Sequence, residues 1–118
     1  MIIPSTPNLL VEKAWLDIIS ESYDILKHMS KYNKNGIGIT LVSFLWKIES
    51  EILEAISYTV DNRLKILNKI DKESNLTYRL FYVMLLNEII SPGRYTVITE
   101  KFKEFGNLLG GLIKNSKK

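Results

Sequence analysis

The chain of 118 residues has no cysteine and one histidine, which excludes disulfide frameworks, thiol nucleophiles and Cys/His zinc sites together. It also lacks long apolar runs, so no stretch reads as a membrane-crossing helix, which needs about 20 apolar residues. The opening Met1-Ile2-Ile3-Pro4 has no basic flank; no targeting signal is expected there, and a cytoplasmic location is the expectation. A strong charge of one sign is missing as well. Sixteen basic against thirteen acidic residues leave +3, too small an excess to mark a nucleic-acid binder by itself. What is present is 46% hydrophobic and 25% charged residues, close to the globular average and enough for one core. The expectation is a single domain over 1–118, with 114–118 a fraying basic tail.

Charge is distributed unevenly. Residues 1–62 hold five basic and eight acidic groups, net −3, while residues 63–118 hold eleven basic and five acidic groups, net +6. A two-signed molecule of this kind can orient a partner or a polyanion on one side.

Apolar spacing predicts helices throughout. Thr6-Pro7 is a helix opening, and Val11, Ala14, Trp15, Ile18, Ile19, Ile25, Leu26 and Met29 form one stripe of a first helix ending near Ser30. Lys31 to Gly38, with its Asn-Gly step, reads as a turn using positive φ. Thr40 is a candidate cap for a second helix carrying Leu41, Leu45, Ile48, Ile52, Ala55, Ile56, Leu64, Leu67 and Ile70, some 45 Å long at ~1.5 Å per residue. Its weak point is Thr59-Val60-Asp61-Asn62, where a kink or break is allowed. Asp71 to Asn75 reads as a polar connector, followed by a third helix from Leu76 to Ile90 capped by Ser74 or Asn75. Ser91-Pro92-Gly93 predicts a type II turn. Ile98, Phe102, Phe105, Leu109 and Leu112 then form the seam of a fourth helix. The expected fold is an all-α antiparallel four-helix bundle with one long central helix.

With one histidine and no cysteine, chemistry would have to come from carboxylates. Asp17, Glu21 and Asp24 share one helix face, and Glu49, Glu51 and Glu54 are the other set. Both read better as solvated or partner-facing acidic surfaces. His28 suits the C-terminal end of the first helix. Glu-x-x-His elements of a carboxylate metal bundle are absent, and Gly36-Ile37-Gly38 lacks the strand and the Lys-Ser/Thr ending of a phosphate loop. Lys31 and Lys34 are its only anion-binding accompaniment. No cofactor and no metal are expected, and the chain reads as a non-enzyme.

The most suggestive polar feature is the basic set Arg63, Lys65, Lys69, Lys72, Arg79, Arg94, Lys101 and Lys103. Lys65, Lys69 and Lys72 fall at helical spacing and could follow phosphates, with Tyr78, Tyr82 and Tyr95 close enough in sequence to stack on bases. Trp15 and Trp46 read as core or interface anchors. Phe44, Leu53 and Val60 fall off the main stripe of the second helix and, if exposed together, would form a protein-binding patch.

From Glu12 to Ile90 the chain resembles the helical domain of archaeal GINS subunits. The likeness is carried by Asn62-Arg63-Leu64-Lys65-Ile66-Leu67 at the end of a long helix, followed after a short polar connector by Leu76-Thr77-Tyr78. The resemblance implies a non-catalytic subunit docked to sister subunits and replication proteins, in a DNA-replication assembly. Arg63, Lys65, Lys69, Lys72 and Arg79 would then make polar contacts, and Phe44, Trp46 and Leu53 apolar ones. Two alternatives use the same residues: a direct nucleic-acid-binding module similar to primase or plasmid-replication accessories, and a binding protein similar to bacteriocin immunity proteins. Oligomer formation is compatible with each.

Overall fold

The computed structural model describes residues 7–57 and 60–116, those at 7–9, 57, 60 and 61 by backbone alone, and the chain is all-α. In chain order the helices are α1 (Pro7–Lys27), α2 (Lys31–Asn35), α3 (Ile37–Ser57), α4 (Val60–Leu86) and α5 (Pro92–Ser116). Thr6, Thr59, the side chain of Val60 and the tail residues Lys117 and Lys118 lie outside the described residues.

The four long helices close a ring, in which α1 and α4 each pack against both α3 and α5. Across α3 and α4 the pairs Lys47–Glu73 and Glu51–Lys69 run in opposite senses. The same reversal holds across α1 and α5, where Asp17 meets Lys101 and Asp24 meets Arg94. Inside the ring Trp15, Ile18, Leu45, Ile48, Phe81 and Phe105 are fully buried. Each such side chain contributes about 1.5–3 kcal/mol by leaving water, which no helix of the set could gain alone.

The single long central helix is corrected: α3 ends at Ser57, α4 begins at Val60, and α4 runs back along α3, so residues 60–62 of the weak turn lie inside a helix. Arg63 donates from Nε to the Ala55 carbonyl oxygen at 3.1 Å, so a cation satisfies an end carbonyl of α3 where the helix dipole favours it. The polar connector is corrected too, because α4 runs unbroken through Asp71 to Asn75. Glu73 and Ser74 are buried there, Ser74 bonding within its own helix and Glu73 pairing with a cation from α3. Ser74 Oγ donates to Asp71 O at 2.9 Å, Thr77 Oγ1 to Glu73 O at 2.8 Å, and Glu73 meets Lys47 at 2.6 Å. Ser74 and Asn75 are therefore interior residues of α4, not caps.

The turns differ from expectation in a consistent way, since no described glycine has positive φ. Lys31–Asn35 is a short helix capped by Ser30, whose Oγ accepts from Asn33 N at 3.2 Å. Thr40 lies inside α3, which begins at Ile37. Gly38 is closely packed: a Cβ there would sit 3.1 Å from Asn33 O and 3.2 Å from Leu26 Cδ2. Ser91-Pro92-Gly93 is a helix start, with Ser91 Oγ accepting from Arg94 N at 3.1 Å and Pro92 in the first helical position. The reversal sits one step earlier, at Glu88, whose φ is 59°. Ile89 N donates to Met84 O at 2.8 Å and Glu88 N to Leu85 O at 3.1 Å, the paired bonds of a Schellman ending with glutamate in the usual glycine position.

Candidate functional site

Helix α1 has two flanks of opposite character. Its α5 flank carries the acidic set. Lys101 Nζ lies 2.7 Å from Asp17 Oδ2, and Arg94 Nη1 lies 2.9 Å from Asp24 and 3.5 Å from Glu21. The bond from Arg94 holds the Asp24 carboxyl below its usual range. Beneath these pairs Trp15 meets the rings of Phe102 and Phe105 at centroid distances of 5.9 and 4.9 Å. The seam is closed by polar groups outside and aromatic rings inside.

The α3 flank is different. Trp15 Nε1 donates to Leu45 O at 2.9 Å deep in the seam, and Trp46 Nε1 donates to Tyr23 Oη at 2.9 Å on its surface. Around that surface bond the side chains remain open: Trp46 is 49% exposed, Ile39 61%, Leu53 45% and Tyr23 39%. Ile39, Val42, Trp46, Glu49 and Leu53 follow one another at three- and four-residue steps, which places them on one line along α3. The core residues Leu41, Leu45, Ile48, Ile52 and Ala55 lie on another line, so α3 has two apolar stripes. At the Ile39 end a groove of about 420 Å³ is lined by Tyr23, Leu26, Lys27, Lys34, Gly38, Ile39 and Val42.

Glu49 interrupts the outer stripe in sequence but adds little charge to it. It is 7% exposed, and burial, reinforced by the neighbouring Glu12 carboxyl, pushes its pKa up to about 8. The group is therefore mostly neutral at pH 7. A second carboxyl pair, Glu51 and Glu73, sits between α3 and α4. Burial and then the Glu73 carboxylate push Glu51 up, against the pull of Lys69. Burial opposes ionisation of Glu73, but Glu51 and the Lys47 ammonium outweigh it and hold Glu73 below its usual range. Lys69 Nζ lies 3.0 Å from Glu51 Oε2, an ion pair without hydrogen-bond alignment. Glu54 is exposed. Among the described residues no three carboxylate or histidine groups converge on a position that could hold a metal ion, and no helix is long and apolar enough to cross a membrane.

The basic set is split. Arg63, Lys69, Arg94 and Lys101 hold intramolecular partners, and Lys103 lies 3.5 Å from Glu100. Lys65, Lys72 and Arg79 are exposed on α4 at intervals of seven, one line of cations about 21 Å long at ~1.5 Å per residue. The tyrosines turn to one another: Tyr95 Oη donates to Tyr78 Oη at 2.8 Å, Tyr78 Oη and Thr99 Oγ1 are hydrogen-bonded at 2.9 Å, and the Tyr78 and Tyr95 rings stack at 5.7 Å. His28 Nδ1 donates to Asp24 O at 2.9 Å, at the C-terminal end of α1.

Trp46 and Leu53 share the exposed stripe, whereas Phe44 is half-buried. Phe44 and Leu53 are nine residues apart, about half a turn out of phase at ~100° per residue, so they face opposite sides of α3. Ile39, Val42 and Tyr23 complete the stripe and were missed by the sequence reading. Their signal was the second three-and-four alternation, masked by the acidic residue in its middle. Comparison with protein-family models, curated proteins and solved structures finds no match to the chain.

Proposed function

We propose that this chain is a non-catalytic helical module, an antiparallel bundle of four long helices, that works by holding a protein partner on its α1–α3 face. The observation that carries this reading is the outer stripe of α3. Three large exposed apolar side chains, Ile39, Trp46 and Leu53, lie with half-buried Val42 at three- and four-residue spacing along α3 beside a groove, and Trp46 bonds to Tyr23 of α1. Exposed aromatic anchors with few rotamers are what protein interfaces use for most of their binding energy. The replication-assembly reading drawn from the GINS resemblance uses Arg63 and Lys69 as contacts. Both hold bonds within the chain, so the α1–α3 face supports partner binding better than they do. The test is quantitative capture from cells of origin on immobilised wild-type and Trp46→Glu protein. Partners retained by the first and lost by the second support the face, and equal capture by both overturns it.

A second reading has its own observation, the line of Lys65, Lys72 and Arg79 on α4. Three cations at this spacing support weak polyanion binding. A logarithmic salt slope of about −2 on single-stranded DNA is the expectation for three phosphate contacts. Lys65→Glu with Lys72→Glu should abolish it, and no DNA affinity at low salt sinks this reading.

A further inference from the structure

Resting on the reading of the α1–α3 face as a protein-contact surface, we propose that the partner lays an amphipathic helix into the channel between α1 and α3, and that this helix carries carboxylates where it passes Lys27 and Lys34. Shape is the first support. Leu16 and Tyr23 of α1, both exposed and seven residues apart, lie on one line of that helix, and Tyr23 bonds across to Trp46 on the outer line of α3. Two apolar lines thus border one seam, which opens at its Ile39 end into the groove of about 420 Å³. A channel between neighbouring helices takes the ridge of a third. Ile39 to Leu53 spans about 21 Å at ~1.5 Å per residue, about four turns of such a guest.

Charge is the second support, and it selects among apolar guests. Among the described residues the groove is lined by two cations, Lys27 and Lys34, and by no carboxylate, and neither ammonium belongs to an ion pair. Asp24 lies near Lys27 but is bonded to Arg94 on the α5 flank. At the far end of the seam Glu12 is half-buried beside buried Glu49, and Lys13 is exposed. A wholly apolar guest strips water from the Lys27 and Lys34 ammonium groups without replacing it, and a basic guest is repelled; a carboxylate of the guest meets both demands. The chain's own other apolar line, Leu76, Val83 and Leu86 on α4, runs with exposed Lys72 and Arg79, the wrong sign for this groove, so that face of a second copy is a poor guest. A bilayer surface is met by apolar side chains that protrude into it, whereas Lys27 and Lys34 stand beside a concavity.

Fluorescence anisotropy of the purified full chain with three synthetic helical peptides of about 15 residues tests the proposal. The peptides share one leucine stripe at three- and four-residue spacing and differ only in the residues flanking one end of it, which are glutamate, serine or lysine. The glutamate peptide should bind several-fold more tightly than the serine peptide, and the lysine peptide most weakly. Lys27→Glu with Lys34→Glu, both at exposed positions, should reverse that order with an unchanged melting temperature. Trp46→Glu should weaken all three by about 30-fold or more, as loss of a central aromatic anchor does. Equal binding of the three peptides, or an order that survives the double charge reversal, overturns the acidic guest; if binding still depends on Trp46, the docking face itself survives. If peptide binding and partner capture are both indifferent to Trp46→Glu, the guest and the face fail together. No peptide bound at submillimolar concentration also overturns the acidic helix, and Trp46-dependent binding to phosphatidylglycerol vesicles, or self-association in sedimentation equilibrium, then names a bilayer or a second copy as the occupant instead.

Discussion

The two flanks of α1 meet neighbours of the same kind and solve the contact differently. Toward α5, charge is outermost and is used up: Asp17, Glu21 and Asp24 face Lys101 and Arg94. Toward α3 the outermost groups are Tyr23, Trp46, Ile39 and Leu53, and among the described residues no ion pair crosses that seam. Part of the uneven charge of the two halves is thus met within the molecule, Asp17, Glu21, Asp24 and Glu51 facing Lys101, Arg94 and Lys69, while Lys65, Lys72 and Arg79 stay exposed. A charge imbalance along a sequence implies an external partner only after such internal matching has been subtracted. An unmatched apolar line is the stronger sign of one.

Breaking the shared interior should affect both flanks at once and most severely. Trp15 touches both, through Phe102 and Phe105 on one side and the Leu45 carbonyl on the other. Trp15→Ala should cost about 3–5 kcal/mol of unfolding free energy in chemical denaturation. A loss below about 1 kcal/mol would show that the flanks do not share a core.

The α3 flank alone is probed by pH. Glu49 binds its proton more tightly when folded, at about 8 against the ordinary 4.5. Its contribution is therefore fully present below pH 4.5 and is lost as pH rises through about 8. Glu49→Gln should match wild type near pH 4 and exceed it at pH 9 by up to about 4–5 kcal/mol, the full linkage of a pKa of about 8 against 4.5. Denaturation curves at the two pH values check this, and an unchanged difference would place the titration elsewhere.

Two smaller effects calibrate the comparison. Glu88→Gly, at the α4 ending away from both flanks, should stabilise by about 1 kcal/mol, because φ of 59° strains any side chain there. On the α5 flank, a double-mutant cycle of Lys101→Ala and Asp17→Ala should give a coupling of only about 0.5 kcal/mol, reduced further by salt. A coupling of several kcal/mol would make that flank electrostatic in origin rather than aromatic.

The helices and their buried stripes were legible because apolar spacing of three and four reports directly on burial. Trp15, Ile18, Leu45, Ile48, Phe105 and Leu109 all lie where that spacing places them. Two of the differences share one cause. Polar residues were read as interruptions, yet Glu73, Ser74 and Thr77 are buried within a continuous helix, paired to Lys47 or to carbonyls three and four residues back. Local pattern does not show a partner that arrives from another helix. Glu49 misled in the same way within the outer stripe. The weak turn at residues 59–62 stood close to the boundary between α3 and α4, but the start of α4 at Val60 and its direction depend on α4 finding α3.

Because Ile39 and Leu53 stand at the exposed ends of the outer line of α3, away from its core line, they contribute little to keeping the fold together. Polar replacement of Ile39 or Leu53 should therefore raise the concentration at which the purified protein stays clear in solution, and slow its precipitation on storage, while leaving the melting curve where it was. Stickiness and foldedness are thus separable in this molecule at the level of single side chains.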